Sequence, residues 1–246
     1  MTDINQLEKT DIQQINDFKR EFNIQATQAQ ISKFEYNLVD ATIDKGTLRR
    51  ACQDANSLKL GAVCVLPCFV KSCVNFLGSD PQTSLIACIS YPHGGDTTEI
   101  KVAAVKRAVK EGVDEVEVTA PLAFVKDGSW AYVKREFKKL KGAVKRCGLR
   151  INIESDLLTP AEIAKICTVA SDCGITSLCV SSGVNRAGIN GETISRMRSA
   201  VKDKCTIKTY GVSSLTEMNT AVSMGAGILG SKNAADLARL ILKTIE

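Results

Sequence analysis

The sequence is poor in histidine, in aromatic residues and in long apolar runs. A single histidine, His93, stands in 246 residues. Cysteine is abundant at ten residues, but no Cys-x-x-Cys pair occurs. Cys64, Cys68 and Cys73 cluster, yet one histidine and no paired-thiol spacing give a zinc site little basis, so no metal and no cofactor are expected. Most of the cysteines sit among Val, Ala and Leu, where the side chain acts as a small buried hydrophobe. No apolar stretch approaches the roughly 18 residues of a membrane helix, so a membrane is not an expected partner. The first residues, Met-Thr-Asp-Ile-Asn-Gln, lack the basic and apolar regions of a secretory leader. The cytosol is therefore the default compartment, and disulfides are not expected there. Aromatics make up 5% of the chain, and the basic residues read as scattered among 27 acidic ones. No Lys/Arg block with interleaved aromatics stands out, so nucleic acid is not an expected partner either.

What is present is an ordinary globular balance, 44% hydrophobic and 24% charged, which excludes general disorder. Residues 1–33 are polar and Gln-rich with apolar residues at wide helical spacing, and read as an N-terminal helical cap. From there to residue 246 short β-branched runs alternate with longer amphipathic segments. The predicted strands are Tyr36–Ala41, Ala62–Leu66, Ser84–Ser90, Glu115–Thr119, Arg150–Glu154, Ser177–Ser181, Thr206–Tyr210 and Ala226–Gly230. The predicted helices are Gly46–Leu58, Val70–Leu77, Thr97–Glu111, Trp130–Arg146, Pro160–Cys173, Glu192–Lys202, Leu215–Met224 and Ala234–Thr244. Gly112, Gly148 and Gly174 follow helical runs as C-terminal caps do. Thr159-Pro160-Ala161-Glu162 reads as an N-cap with proline at the first helical position. Eight strand–helix units with no linker between them predict one (β/α)8 barrel over residues 34–246. A doubly wound open sheet is the alternative, but no Gly-x-Gly-x-x-Gly follows the first strand, which argues against a dinucleotide fold.

Alternate residues of a strand face opposite sides. With Val116, Val118, Ile151, Ile153, Leu178, Val180 and Ile207 turned toward the helices, the barrel interior receives Glu115, Glu117, Arg150, Asn152, Glu154, Cys179 and Lys208. The first strand ends near Asp40, which joins them. Unpaired buried charges are costly, so these groups must pair or serve chemistry, and barrel enzymes draw catalytic residues from the C-terminal ends of several strands. The late strands run into Ser181-Ser182-Gly183, Gly211-Val212-Ser213-Ser214 and Gly230-Ser231-Lys232-Asn233. Small residues there, before a helix N-terminus, suit a bound phosphate. Ser182, Gly183, Gly211, Ser231 and Lys232 are the candidate phosphate ligands.

From about residue 35 onward the chain resembles the 2-deoxyribose-5-phosphate aldolases, class I aldolases on a (β/α)8 barrel. Asp40-Ala41-Thr42 stands where that family has Asp-x-Thr. Tyr91-Pro92-His93-Gly94 resembles Phe-Pro-x-Gly, Gly112-Val113-Asp114-Glu115-Val116-Glu117 resembles Gly-Ala-Asp-Glu-Ile-Asp, and Ile153-Glu154-Ser155 resembles Ile-Glu-Thr. The resemblance implies a sugar-phosphate or aldehyde ligand and a homodimer. It also implies a sixth-strand lysine that forms a Schiff base, a seventh-strand lysine that lowers its pKa, and a fourth-strand Asp that moves protons. The sixth-strand Lys-Thr-Ser-Thr-Gly aligns with Cys179-Val180-Ser181-Ser182-Gly183, which puts Cys179 where the imine lysine belongs. Lys208 matches the second lysine, Glu117 the acid/base Asp and Arg150 the fifth-strand lysine. The Arg before the eighth-strand turn becomes Ile228. Three readings follow: a degenerate aldolase that still binds its ligand, a lyase in which Lys208 has become the imine lysine, and a non-catalytic scaffold for protein partners.

Overall fold

In a computed structural model of the chain, residues 21, 23–184, 189–201 and 205–243 are described. Most of the 1–33 extension, and the expected helix ends at Lys202 and Thr244, lie outside them. Eight parallel strands close a barrel in sequence order: β1 Phe34–Leu38, β2 Ala62–Val65, β3 Ser84–Ile89, β4 Glu115–Thr119, β5 Gly148–Asn152, β6 Ser177–Cys179, β7 Thr206–Tyr210 and β8 Ile228–Ser231. The ring closes where β1 pairs with β8, Glu35 opposite Gly230. A helix over 23–31, α1, precedes it. The outer layer is α2 Lys45–Leu58, α3 Val70–Leu77, α4 Thr98–Glu111, α5 Leu122–Lys126, α6 Trp130–Val144, α7 Pro160–Asp172, α8 Gly191–Ala200, α9 Leu215–Ser223 and α10 Ala234–Leu242. The expected (β/α)8 barrel is thus the fold.

Local signals set the helix ends. Thr159 and Glu162 form a reciprocal capping box behind Pro160, and Asp44, Thr97, Asn190 and Ser214 each accept a first-turn N–H, which satisfies donors that otherwise have no partner. Gly112 ends α4 in the left-handed conformation, as expected of a C-cap. Gly148 does not: it opens β5, because α6 ends earlier at Val144. Lacking a Cβ, Gly148 leaves the space into which Glu115 folds; an added Cβ would stand 2.4 Å from Glu115 Cγ.

The helix-facing sides of the strands are apolar, with Val63, Val65, Leu85, Val116, Val118, Leu149, Ile151, Leu178, Ile207 and Leu229 in one core with the helices. The barrel interior is split. Val39, Ala62, Cys64, Ile86 and Cys88 make a small apolar cluster on the β2–β3 side, while the β1, β4, β5 and β7 side is ionic. Lys101 on α4, fully buried, reaches the C-terminal end of β4, donating to Thr119 O (3.0 Å) and pairing with buried Glu136 of α6 at 2.8 Å. Thr98 donates to the same Glu136 at 2.8 Å. This pair locks two helices to the strand that carries Glu117. Among the described residues no helix is long and apolar enough to cross a membrane.

Candidate active site

The centre of the interior is Glu35, which the expected strand Tyr36–Ala41 left out. The strand begins two residues earlier and ends at Leu38, so Glu35 and Asn37 take the inward positions. Glu35 is 0% exposed. It accepts from both Lys208 Nζ and Arg150 Nη1 in short ion pairs. Lys208 also donates to Glu117 Oε2 at 2.6 Å, and Arg150 Nε donates to Glu115 Oε2 at 2.7 Å. The result is a chain of alternating charge, Glu115–Arg150–Glu35–Lys208–Glu117, which crosses the barrel. Register places its members side by side: Glu117 is opposite Arg150 on the neighbouring strand, and Cys179 is opposite Lys208.

The electrostatics follow from that chain. Burial alone would strip the proton from Lys208, but the carboxylates of Glu117 and Glu35 outweigh it and hold the ammonium well above its ordinary pKa. Glu35 is the mirror case: burial pushes its carboxyl up, while Lys208 and Arg150 pull it below the usual range. Cys179 is fully buried, its thiol pushed up by burial and by the Glu117 carboxylate, and donates to Ser181 O at 3.2 Å. Ligand atoms of Glu35, Cys64 and Glu117 lie within 4.8 Å of one another, but Lys208 already pairs with both carboxylates and Arg150 with Glu35, and a metal ion would have to displace the ammonium.

Among the described residues four buried polar atoms have no partner: Asn37 Oδ1 on β1 and Thr119 Oγ1 on β4, one layer toward the mouth, and the hydroxyls of Ser155 and Ser177. Glu154 lies just past β5 at φ +46°. It accepts from Asn152 Nδ2 (2.7 Å) and from the Ser182 backbone N–H (2.6 Å). Tyr91, at the turn after β3, donates to Ser182 O at 3.2 Å.

Asp40 is not part of this interior. It stands exposed on the rim, accepting from Thr42 N and Thr42 Oγ1 at 3.0 and 2.9 Å, bonds that lower its pKa, with Lys232 at 3.6 Å. It is a turn-forming aspartate beyond the end of β1, in keeping with the local bonding habits of Asx residues.

At the C-terminal mouth a cavity of about 580 Å³ is lined by Gly183, Tyr210, Gly211, Ser213, Glu217, Ser231 and Lys232, among others. Four of the five candidate phosphate residues line it. Ser182 does not: it is buried, and its N–H is committed to Glu154. Gly183 N donates to Ser181 Oγ (3.3 Å), and Ser213 N to the Glu217 carboxylate (2.7 Å). By contrast, α10 starts without a side-chain cap, directly after Lys232 and Asn233, which line the cavity. Gly183, at φ +78°, lies flat on Tyr210; a Cβ there would fall 1.8 Å from Tyr210 Cε1.

No protein-family model matches the chain. A deoxyribose-phosphate aldolase of Mycoplasma capricolum is 28% identical over 204 residues, 82% of this chain and 91% of that protein. One from Clostridium botulinum is 28% identical over 212 residues, 85% of this chain and 100% of its own length. Among solved structures, an aldolase named QR15 superposes with a TM-score of 0.82 at 21% identity, covering 86% of this chain and 95% of its own. The tetrameric deoxyribose phosphate aldolase of Aeropyrum pernix superposes at 0.80 and 19% identity, covering 89% and 93%. The alignments span about four fifths of the chain at 28% identity on a shared barrel, so the chain is similar to the deoxyribose-phosphate aldolases.

Proposed function

We propose that the chain binds a small sugar phosphate or aldehyde at the C-terminal mouth of its barrel, with imine-based carbon–carbon cleavage lost or very slow. The observation that carries the reading is the state of Lys208. An amine attacks a carbonyl only without its proton, and Lys208 is held as an ammonium between Glu35 and Glu117. This also weighs against Lys208 as a substitute imine lysine. The neighbour that the resemblance makes the nucleophile is Cys179, a buried thiol. Its addition to an aldehyde gives a hemithioacetal, which offers no electron sink for breaking a carbon–carbon bond. Glu117 is occupied by Lys208, and Arg150 is occupied by Glu35 and Glu115.

Binding has separate support. The uncapped start of α10 and Lys232 offer N–H groups and a positive charge to an anion. Asn37 Oδ1 and Thr119 Oγ1 leave an acceptor and a hydroxyl for the polar end of a ligand, since buried polar atoms are costly unpaired. Deoxyribose 5-phosphate at millimolar concentration is expected to raise Tm by a few degrees, because a ligand of the native state stabilises it by mass action. Lys232→Glu is expected to abolish that shift with little change in the unliganded Tm; an undiminished shift would remove the anion seat from α10. Turnover of the same compound is expected below the ordinary enzyme range of roughly 1–10³ s⁻¹, measured by aldehyde release.

A further inference from the structure

The positive charge of this protein is concentrated. Residues 130–146 hold seven Lys/Arg and one Glu, a net +6 where the whole chain is +5. The one acid, Glu136, is buried and taken by Lys101, so the outward face of α6 is cationic. Lys134 and Lys138, Arg135 and Lys139, and Lys141 and Lys145 are four residues apart, a spacing at which like charges repel. Lys139 has Glu99 at 2.9 Å and Lys134 has Asp172 at 3.7 Å. Lys138, Lys141 and, across on α4, Lys106 have no carboxylate within ion-pair distance among the described residues. The fold gains nothing from this repulsion, and an anionic partner relieves it.

The shape of the face narrows the partner. A furrow of about 340 Å³ runs between α4 and α6, floored by Val102, Gly142 and Ala143 and walled by Lys106, Lys139 and the Glu99 that pairs with Lys139. At Lys139 it meets a second hollow of about 540 Å³ beside Lys134, Arg135 and Lys138. Gly142 keeps the furrow open, for a Cβ there would meet nothing within 4 Å. We propose that this furrow receives an acidic segment of a protein partner, with small apolar side chains on the Val102–Ala143 floor and carboxylates on the lysine walls. A nucleic-acid strand would call for free aromatic rings to stack on, but Tyr132 is stacked on Phe124 at 3.7 Å with Arg135 lying over its ring. A membrane surface would call for an exposed apolar stripe, and α6 has none: Val133, Phe137, Leu140 and Val144 are buried and Trp130 is partly buried against the core.

The test uses the full chain and a fluorescent peptide of repeated Glu-Glu-Leu triplets, followed by anisotropy, with an oligothymidylate of equal length and phosphatidylserine vesicles measured alongside. Saturable peptide binding is expected, weakening with salt. It is expected to fall roughly tenfold in Lys106→Glu/Lys138→Glu/Lys141→Glu, because charge reversal replaces attraction by repulsion. It is expected to fall also in Gly142→Leu, which fills the furrow without changing the charge and places a better helix former in α6. Absence of saturable peptide binding overturns the proposal. So does Gly142→Leu binding the peptide as the parent does, or the oligonucleotide or the vesicles binding more tightly than the peptide.

Discussion

Replacing Lys208 by methionine is expected to destabilise the fold by about 3–5 kcal/mol, a fall in Tm of roughly 10 °C for a chain of this size. The ammonium is 1% exposed and joins two carboxylates, Glu35 and Glu117. Methionine fills much of the same volume but leaves buried negative charge without its partner. The pH dependence gives the signature. In the parent protein Glu35 is held below its usual range by Lys208 and Arg150 against the opposing effect of burial. A depressed carboxyl contributes stability above its unfolded pKa and loses it as pH falls through the folded one. In the variant, a buried carboxylate without its cation is stabilised by protonation instead. The Tm difference between the two proteins is therefore expected to be largest near neutral pH and to narrow as pH falls toward the glutamate range. Adding Glu35→Gln and Glu117→Gln to the variant is expected to recover part of the loss, since the charges then leave together. Equal Tm values for Lys208→Met and the parent at neutral pH would mean that the ion chain does not hold the barrel.

Cys179→Lys is expected to create a borohydride-trappable amine where the parent has none. Cys179 lies opposite Lys208 on the neighbouring strand, so burial and the Lys208 cation favour the neutral form of a lysine there, against the Glu117 carboxylate, which also acts on the Cys179 thiol. The site is fully buried, and a longer side chain in a packed interior costs about 1–3 kcal/mol; the small residues Cys64, Cys88 and Ala62 across the barrel are where room must come from. The expected product is one ligand-mass adduct on the introduced lysine after reduction, with cleavage still slow, because Glu117 remains tied to Lys208. A variant that folds and binds sugar phosphate but traps nothing would mean that position 179 does not face the ligand.

The strands with the plainest alternation were legible to the residue. Glu115–Thr119 has apolar residues at every second position and Thr206–Tyr210 sets Ile207 between Thr206 and Lys208, and both are strands with those bounds. The frame of β1 is harder to read, because Leu38-Val39 continues its apolar run and Asp40-Ala41-Thr42 fits a family motif; both place the expected strand toward Asp40 and leave Glu35 outside it. The signal that points to Glu35 is charge balance: two interior cations, Arg150 and Lys208, call for buried anions on neighbouring strands, and Glu35 alternates with Asn37 two residues before the apolar end. Loop composition alone points to Ser182 as a phosphate ligand, but its N–H is taken by Glu154, whose left-handed turn no residue pattern announces. The five-residue helix α5 follows Pro121 with too few residues to show a period. The concentration of basic residues after Trp130 stands in the sequence, but only the pairing of α4 with α6 adds Lys106 to it and opens a furrow.

The most direct measurement of the central claim is the intact mass of the parent protein after incubation with deoxyribose 5-phosphate and borohydride. A lysine held as an ammonium by Glu35 and Glu117 forms no imine, so the expected spectrum shows the unmodified chain alone, while the same sample shows a ligand-induced rise in Tm. A stoichiometric adduct mapped to Lys208 would contradict the account.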